Sequence, residues 1–403
     1  MVNCFFALRF VFKDTAMHYS KDRILTTHTG SLPRPYSLLQ MYGRRIRGEP
    51  VAEADINSAG LAAMKHVVKQ QLACGLDIVN NGEQQREGFF FYVQRRMSGF
   101  GGRWKRYPRG DYLAYPRLRE MVEAELANRE GASGMTPPRV TGAVRYLDPA
   151  QAGAESAEFK ATLAELGDAN HAAFLTAPSP GIIAAACKNE YYPTDDAYFE
   201  ALVNALRYEY EAVINAGFLL QVDCPDLALE HHRSFHGRPI EEFMNFVERV
   251  VAAINAGLAN IPREKVRLHV CWGNYEGPHD CDVPLEKIWP IVRKARVGGF
   301  VFPFANARHA HEYKVLGKLP LLDDQIIVAG VIDTLTNFVE HPEVVADRLQ
   351  RVVEVVGDKT RVLAGTDCGF DSTAGQGRVA EDVAWAKLRS LVEGAKIASE
   401  RLY

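Results

Sequence analysis

Short apolar runs alternate along this chain with longer segments whose apolar residues recur every three or four positions. The short runs fit strands buried on both faces, and the longer segments fit helices lying on a sheet. Their alternation predicts βαβ units and a parallel sheet. Strand ends fall near 27–30, 79–83, 174–177, 220–223, 269–271, 301–304, 328–333 and 364–368. Between them the spacing predicts helices over 56–73, 196–216, 241–258, 285–294, 343–356 and 381–397. Eight such units make a (β/α)8 TIM barrel the expected fold, ahead of an open doubly wound sheet or two domains.

Two stretches fall outside the alternation. Residues 88–166 are rich in Arg, Tyr and Gly and hold a strand-like Val140–Tyr146. They are expected to form a long insertion after the second strand, a lid or hairpin over the barrel mouth. Residues 3–12 are apolar but interrupted by Arg9, and too short to span a membrane. Residues 1–16 are therefore read as an N-terminal extension, disordered or a misassigned start. Met17 becomes the natural first residue, and 17–403 a single catalytic barrel.

Charge and cysteine usage narrow the function. The 403 residues carry a formal net charge of −3, which suggests neither a nucleic-acid nor a membrane-surface partner. The seven cysteines, Cys4, Cys74, Cys187, Cys224, Cys271, Cys281 and Cys368, are odd in number and widely spread. That argues against a disulfide framework and for a reduced, cytoplasmic setting with metal or thiol chemistry.

The candidate chemistry lies at strand ends, where barrel enzymes place their sites. His269 and Cys271 lie two apart on one predicted strand, so both side chains face the same way. Cys368 closes another strand. One imidazole and two thiolates converging there would make a zinc site with an open position. An isolated His-x-Cys is more often a pair of core residues. His279 and Cys281 repeat the spacing ten residues on, so a local zinc knuckle with His269 and Cys271 is a rival pairing. It would leave Cys368 idle. Gly30 and Ser31 follow the first strand, where they suit either a carboxylate-binding turn or an ordinary turn and cap. Glu83 and Asp223 end the second and fourth strands. They fit either a substrate ammonium or ordinary ion pairs.

The segments TTHTGSLPRP (26–35), LDIVNNGEQQRE (76–87), LLQVDCPDLA (219–228), LHVCWGNYEGPH (268–279), ANARHAHEY (305–313), VAGVID (328–333) and LAGTDCGF (363–370) carry a resemblance. In this order they are similar to the catalytic C-terminal barrel of cobalamin-independent methionine synthase and relatives such as epoxyalkane:coenzyme M transferase. The resemblance spans nearly all the chain after residue 17. It implies zinc as cofactor, held by His269, Cys271 and Cys368, and a homocysteine-type amino acid bound by Ser31, Glu83 and Asp223. Asp223 and Asp333 are the implied catalytic carboxylates.

Two departures accompany it. Pro303-Phe304-Ala305-Asn306 stands where the family has a glutamate ligand, leaving Glu276, Cys224 or the substrate thiol as the fourth. Thr334-Leu335-Thr336 follows Asp333 where the synthase has a histidine. The expected function is a zinc-dependent thiol S-alkyltransferase, a methyltransferase of methionine biosynthesis that takes a small-molecule thiol and an alkyl donor. The donor is expected under the insertion, near Arg86, Tyr92 and Trp104, and need not be a folate. Alternatives are an epoxide:thiol transferase or lyase, a non-catalytic small-molecule-binding barrel with a structural zinc and, third, a zinc hydrolase.

Overall fold

The computed structural model describes residues 17–127, 136–322 and 324–403. The expectation for residues 1–16 lies outside them. Seven parallel strands form the main sheet, in spatial order Ile78–Val79, Ala172–Pro178, Leu219–Asp223, Val266–His269, Gly299–Pro303, Ile326–Ile332 and Val362–Thr366. That order is also the chain order, as successive βαβ units require. The extended segment around Thr26 touches both edges of this sheet. Thr27 N donates to Ala364 O at 2.9 Å, and Ala364 N donates to Leu25 O at 2.8 Å. On the other side Ile78 N donates to Thr26 O at 3.0 Å.

Local sequence explains the helices that cover the sheet. Asp195–Asn215 begins at Thr194, whose hydroxyl accepts from Ala197 N at 3.2 Å, and carries Asp195 and Asp196 in its first turn. Its buried stripe, Phe199, Leu202, Val203, Leu206, Tyr210 and Val213, keeps the three- and four-residue spacing seen in the sequence. The main core lies between sheet and helices. A smaller cluster takes Ile78, Phe174, Leu219, Val301, Ile326, Val328 and Leu363 from six of the seven strands, with Met17 packed among them. In the strand Val266–His269, Arg267 stands in that inner layer instead. It bonds Gln221 Oε1 at 2.8 Å and His28 O at 3.0 Å, and lies 3.8 Å from the Phe174 ring centre.

The region 88–166 mixes short elements: helices Gly110–Ala114 and Pro116–Ala127, and strands Phe100–Gly101 and Arg139–Val140, which form a three-stranded sheet with Lys188–Asn189 from beyond it. Its end departs from expectation. Residues 149–165 form a regular helix capped by Asp148, which packs against the helices Glu53–Cys74 and Asp195–Asn215. Its many alanines gave no strong apolar stripe to read. The strand-like Val140–Tyr146 contributes only Val140 to a strand, with Tyr146 in an isolated bridge to Met97. Among the described residues, no helix is long and apolar enough to cross a membrane.

Candidate functional site

Parallel register sets Asp223 beside His269 on neighbouring strands. His269 Nδ1 lies 3.0 Å from Asp223 Oδ1, which turns Nε2 the other way. There it meets Cys368 Sγ at 3.9 Å, and Cys368 Sγ is 3.6 Å from Cys271 Sγ. All three side chains are buried. Sulfurs at about 2.3 Å and a nitrogen at about 2.0 Å from a tetrahedral zinc stand about 3.8 Å (S···S) and about 3.6 Å (S···N) apart. The two separations from Cys368 match those edges to within about 0.3 Å, and all three donor atoms lie within 4.8 Å of one another, so the donor set fits the ion.

The charges in the trio are linked. The hydrogen bond from Cys368, together with the His269 imidazolium, holds the Cys271 thiol well below its ordinary range despite burial. Cys368 is pushed up, because it donates that bond and is buried beside a thiolate. Burial alone would depress His269, but the Cys271 thiolate and Asp223 outweigh it and push the imidazole up to about 10.

The same trio lines a cavity of about 440 Å³ with Ser31, Glu83 and Asp223. Glu83 is buried, and its Oε1 accepts from Thr176 Oγ1 at 2.9 Å while Oε2 has no partner. Burial, then the neighbouring Asp223 carboxylate, pushes its carboxyl up to about 7. Its backbone is left-handed, with φ +56°, a conformation that costs a non-glycine residue energy. Ser31 is pressed against the loop after Cys368. A Cβ on Gly369 would fall 2.0 Å from Ser31 Oγ, so only glycine fits there.

The remaining candidates are not all with the trio. Asp333 and the trio's two cysteines line a small adjoining cavity of about 30 Å³. Its Oδ1 accepts from Leu335 N and Thr336 N, both at 2.8 Å. Glu276 points outward to Arg378, at 2.7 Å, and Cys224 Sγ faces its own strand at Val222 O, 3.6 Å away. Neither stands with the trio as a fourth donor. The knuckle pairing does not form either. His279 meets Asp282 and His309, while Cys281 lies with Asp111 and Asp280. Arg86 is paired with Glu155 and stacked on Tyr92, and Trp104 Nε1 donates to Ala186 O, so none of these three lines the cavity. In their place stand Arg106, Arg109 and Arg233, together with Phe89, Phe90 and Phe91.

Sequence reasoning also missed a buried group around Asp282. Its Oδ2 lies 2.7 Å from His279 Nδ1 and 2.8 Å from His309 Nε2, and its Oδ1 is 3.4 Å from His232. His309 stacks on Trp272 with ring centres 3.9 Å apart. The segment His279-Asp280-Cys281-Asp282 carried the signal, but it read as a metal knuckle.

No protein-family model matches the chain. Relatives do. A methionine synthase of Saccharolobus islandicus is 24% identical over 384 residues, 94% of this chain and 95% of that protein. A methionine synthase of Sulfurisphaera tokodaii is 25% identical over 382 residues, 94% and 93% of the two chains. The fold matches a B12-independent methionine synthase from Shewanella sp. W3-18-1, in complex with selenomethionine, with TM-score 0.69 and 19% identity over 94% of this chain and 99% of that one. The chain resembles the cobalamin-independent methionine synthases over nearly its whole length. A further protein described in those terms, from Listeria monocytogenes, matches with TM-score 0.64 and 20% identity over 93% and 98% of the two chains. Ala305 N and Asn306 N donate to the Asp367 carboxylate at 2.8 and 2.7 Å, next to Cys368.

Proposed function

We propose that this protein is a zinc-dependent thiol S-methyltransferase or alkyltransferase acting on homocysteine or a similar thiol. One observation carries the reading: two cysteine sulfurs and an imidazole nitrogen, all within 4.8 Å of one another, line the same cavity as Ser31, Glu83 and Asp223. The names of the relatives, methionine synthases, point the same way. The reading takes residues 17–403 as one catalytic unit. It takes the sheet as a (β/α)8 barrel closed by the segment around Thr26, supported by that segment's bonds to both sheet edges.

In this reading His269, Cys271 and Cys368 would hold the ion, which would leave a position for the acceptor's sulfur. Zinc so held lowers the pKa of a bound thiol and keeps it as thiolate at neutral pH. Asp223 fixes the His269 tautomer and ring orientation. Glu83 and Asp223 would face the acceptor's ammonium. The acceptor's sulfur would form its new bond to an electrophilic carbon of the donor as that carbon's bond to its leaving group breaks. Zinc-edge X-ray absorption, with and without homocysteine, tests the reading. Two sulfurs and one nitrogen plus a third sulfur on addition of thiol are expected. A ligand set unaffected by thiol would overturn it in favour of a structural metal.

Thr334-Leu335 at the position of the synthase histidine favours a second reading for the donor, an epoxide or another activated carbon in place of a folate. A folate leaving group is a weakly acidic amine and needs a delivered proton. A donor panel with mass spectrometry of the thioether separates the two. Turnover with methyltetrahydrofolate near that of an activated donor would remove the second reading.

A further inference from the structure

Five cations, Lys105, Arg106, Arg109, Arg119 and Arg233, line the large cavity. Two are neutralised: Arg106 pairs with the buried Glu230, and Arg119 Nε meets Glu123 at 2.8 Å. Among the described residues, Arg109 and Arg233 have no carboxylate within ion-pair distance. Arg109 contacts the Tyr112 hydroxyl at 3.3 Å and lies over the Tyr275 ring at 4.0 Å, and its Nε is buried without a partner. Arg233 donates to the Tyr107 backbone carbonyl at 2.9 Å. Burial, and then repulsion from Arg106 and Arg109, holds Arg233 well below the ordinary guanidinium range. Glu230, already paired with Arg106, offsets Arg233 only in part. Guanidiniums crowded in a cavity wall without an ion pair of their own are the donor set that oxyanions match bidentately.

The cavity is also polarised along its length. The carboxylates Glu83 and Asp223 sit at the buried end with the sulfurs, while Lys105 and Tyr107 sit at the exposed end. We propose that Arg109 and Arg233 form an oxyanion subsite, which takes a carboxylate, sulfonate or phosphate group carried by the alkyl donor. The assignment to the donor rests on the proposed alkyl transfer. Glu83 and Asp223 take the acceptor's ammonium and Ser31 beside them its carboxylate, so an anion held by Arg109 and Arg233 belongs to the other reactant. Arg109 lies in the insertion and Arg233 on the barrel rim, so an anion held by both ties the insertion to the barrel.

Equilibrium dialysis of the full chain against radiolabelled inorganic phosphate tests the subsite without turnover. One phosphate per chain is expected. Its affinity should fall at least about tenfold in Arg109→Gln or Arg233→Gln, as loss of a charged hydrogen bond predicts. Arg109→Lys should keep part of it, and Arg119→Gln, whose charge is already balanced, should keep nearly all. If Arg233→Gln does not fold, Arg109→Gln decides. Absence of saturable binding, unaltered affinity in the Gln variants, or equal loss in Arg119→Gln would overturn the subsite. The second arm measures labelled homocysteine with saturating phosphate present. Unchanged homocysteine affinity supports an anion on the donor, and competition overturns that assignment. If homocysteine does not bind at all, the proposed acceptor fails, and the phosphate measurement still decides the subsite.

Discussion

His269 Nδ1 and Asp223 Oδ1, 3.0 Å apart, join two neighbouring strands and fix which imidazole nitrogen faces the sulfurs. The carboxylate therefore does more than face a substrate. Removing it should loosen the metal as well as the acceptor. Asp223→Ala should lower zinc affinity about ten- to a hundredfold, as loss of such orienting partners does. Competition with a chromophoric chelator measures this, and parent-like affinity would show that the ring is held by packing alone.

Cys368→Ser should lose the metal, and Cys281→Ser should retain it, because Cys281 lies with Asp111 and Asp280, apart from the trio. Zinc content after dialysis gives the answer directly. Retention in the first variant with loss in the second would move the site.

Glu83→Gln should raise the KM for the acceptor by about ten- to a hundredfold, the worth of a charged hydrogen bond of roughly 1.5–3 kcal/mol. Zinc content should stay constant, since Glu83 bonds Thr176 and no member of the trio. An unaltered KM for homocysteine would mean that another thiol is the substrate.

Asp226 should make the fold less stable as pH rises. It is buried, bonded to the Ser179 hydroxyl at 2.7 Å, and its second oxygen has no partner. Burial pushes its carboxyl up from an ordinary 3.8 to about 7, with the Ser179 bond opposing. Between those values the folded chain holds a proton that the unfolded chain has lost. Stability from this group is therefore full below about pH 4 and declines until about pH 7. Asp226→Asn should remove the decline and gain on the order of 1–3 kcal/mol over the parent by pH 8. Melting midpoints of both proteins at pH 5 and pH 8 check this, and a constant gap between them would refute it.

The helices and strand ends were legible because burial on a sheet imposes period on apolar residues. The helix predicted over 196–216 is observed at Asp195–Asn215, and that over 343–356 at Pro342–Val356. The expected strands ran to Cys271 and Cys368, but the observed ones stop at His269 and Thr366; each cysteine follows its strand by two residues, close enough for the pattern to bring the three side chains together. What escaped depended on pairings across distant loops. The insertion's helix Pro149–Glu165 is alanine-rich, so its buried face hardly stands out. Asp282 drew in His309 from 27 residues away, which no local spacing reveals. Arg109 and Arg233 look like ordinary surface charges until the fold sets them on one cavity.

The left-handed backbone of Glu83 sets durability against use. The substitution Glu83→Gly would relax a strained turn and delete a buried carboxyl whose Oε2 lacks a partner. Each change relieves the folded state by something on the order of 1 kcal/mol. Selection for heat resistance alone would thus drift toward glycine at this position and, on the proposed reading, discard the acceptor's partner on the way. A glutamate held there against the scaffold's own preference fits a turn that serves the cavity it lines.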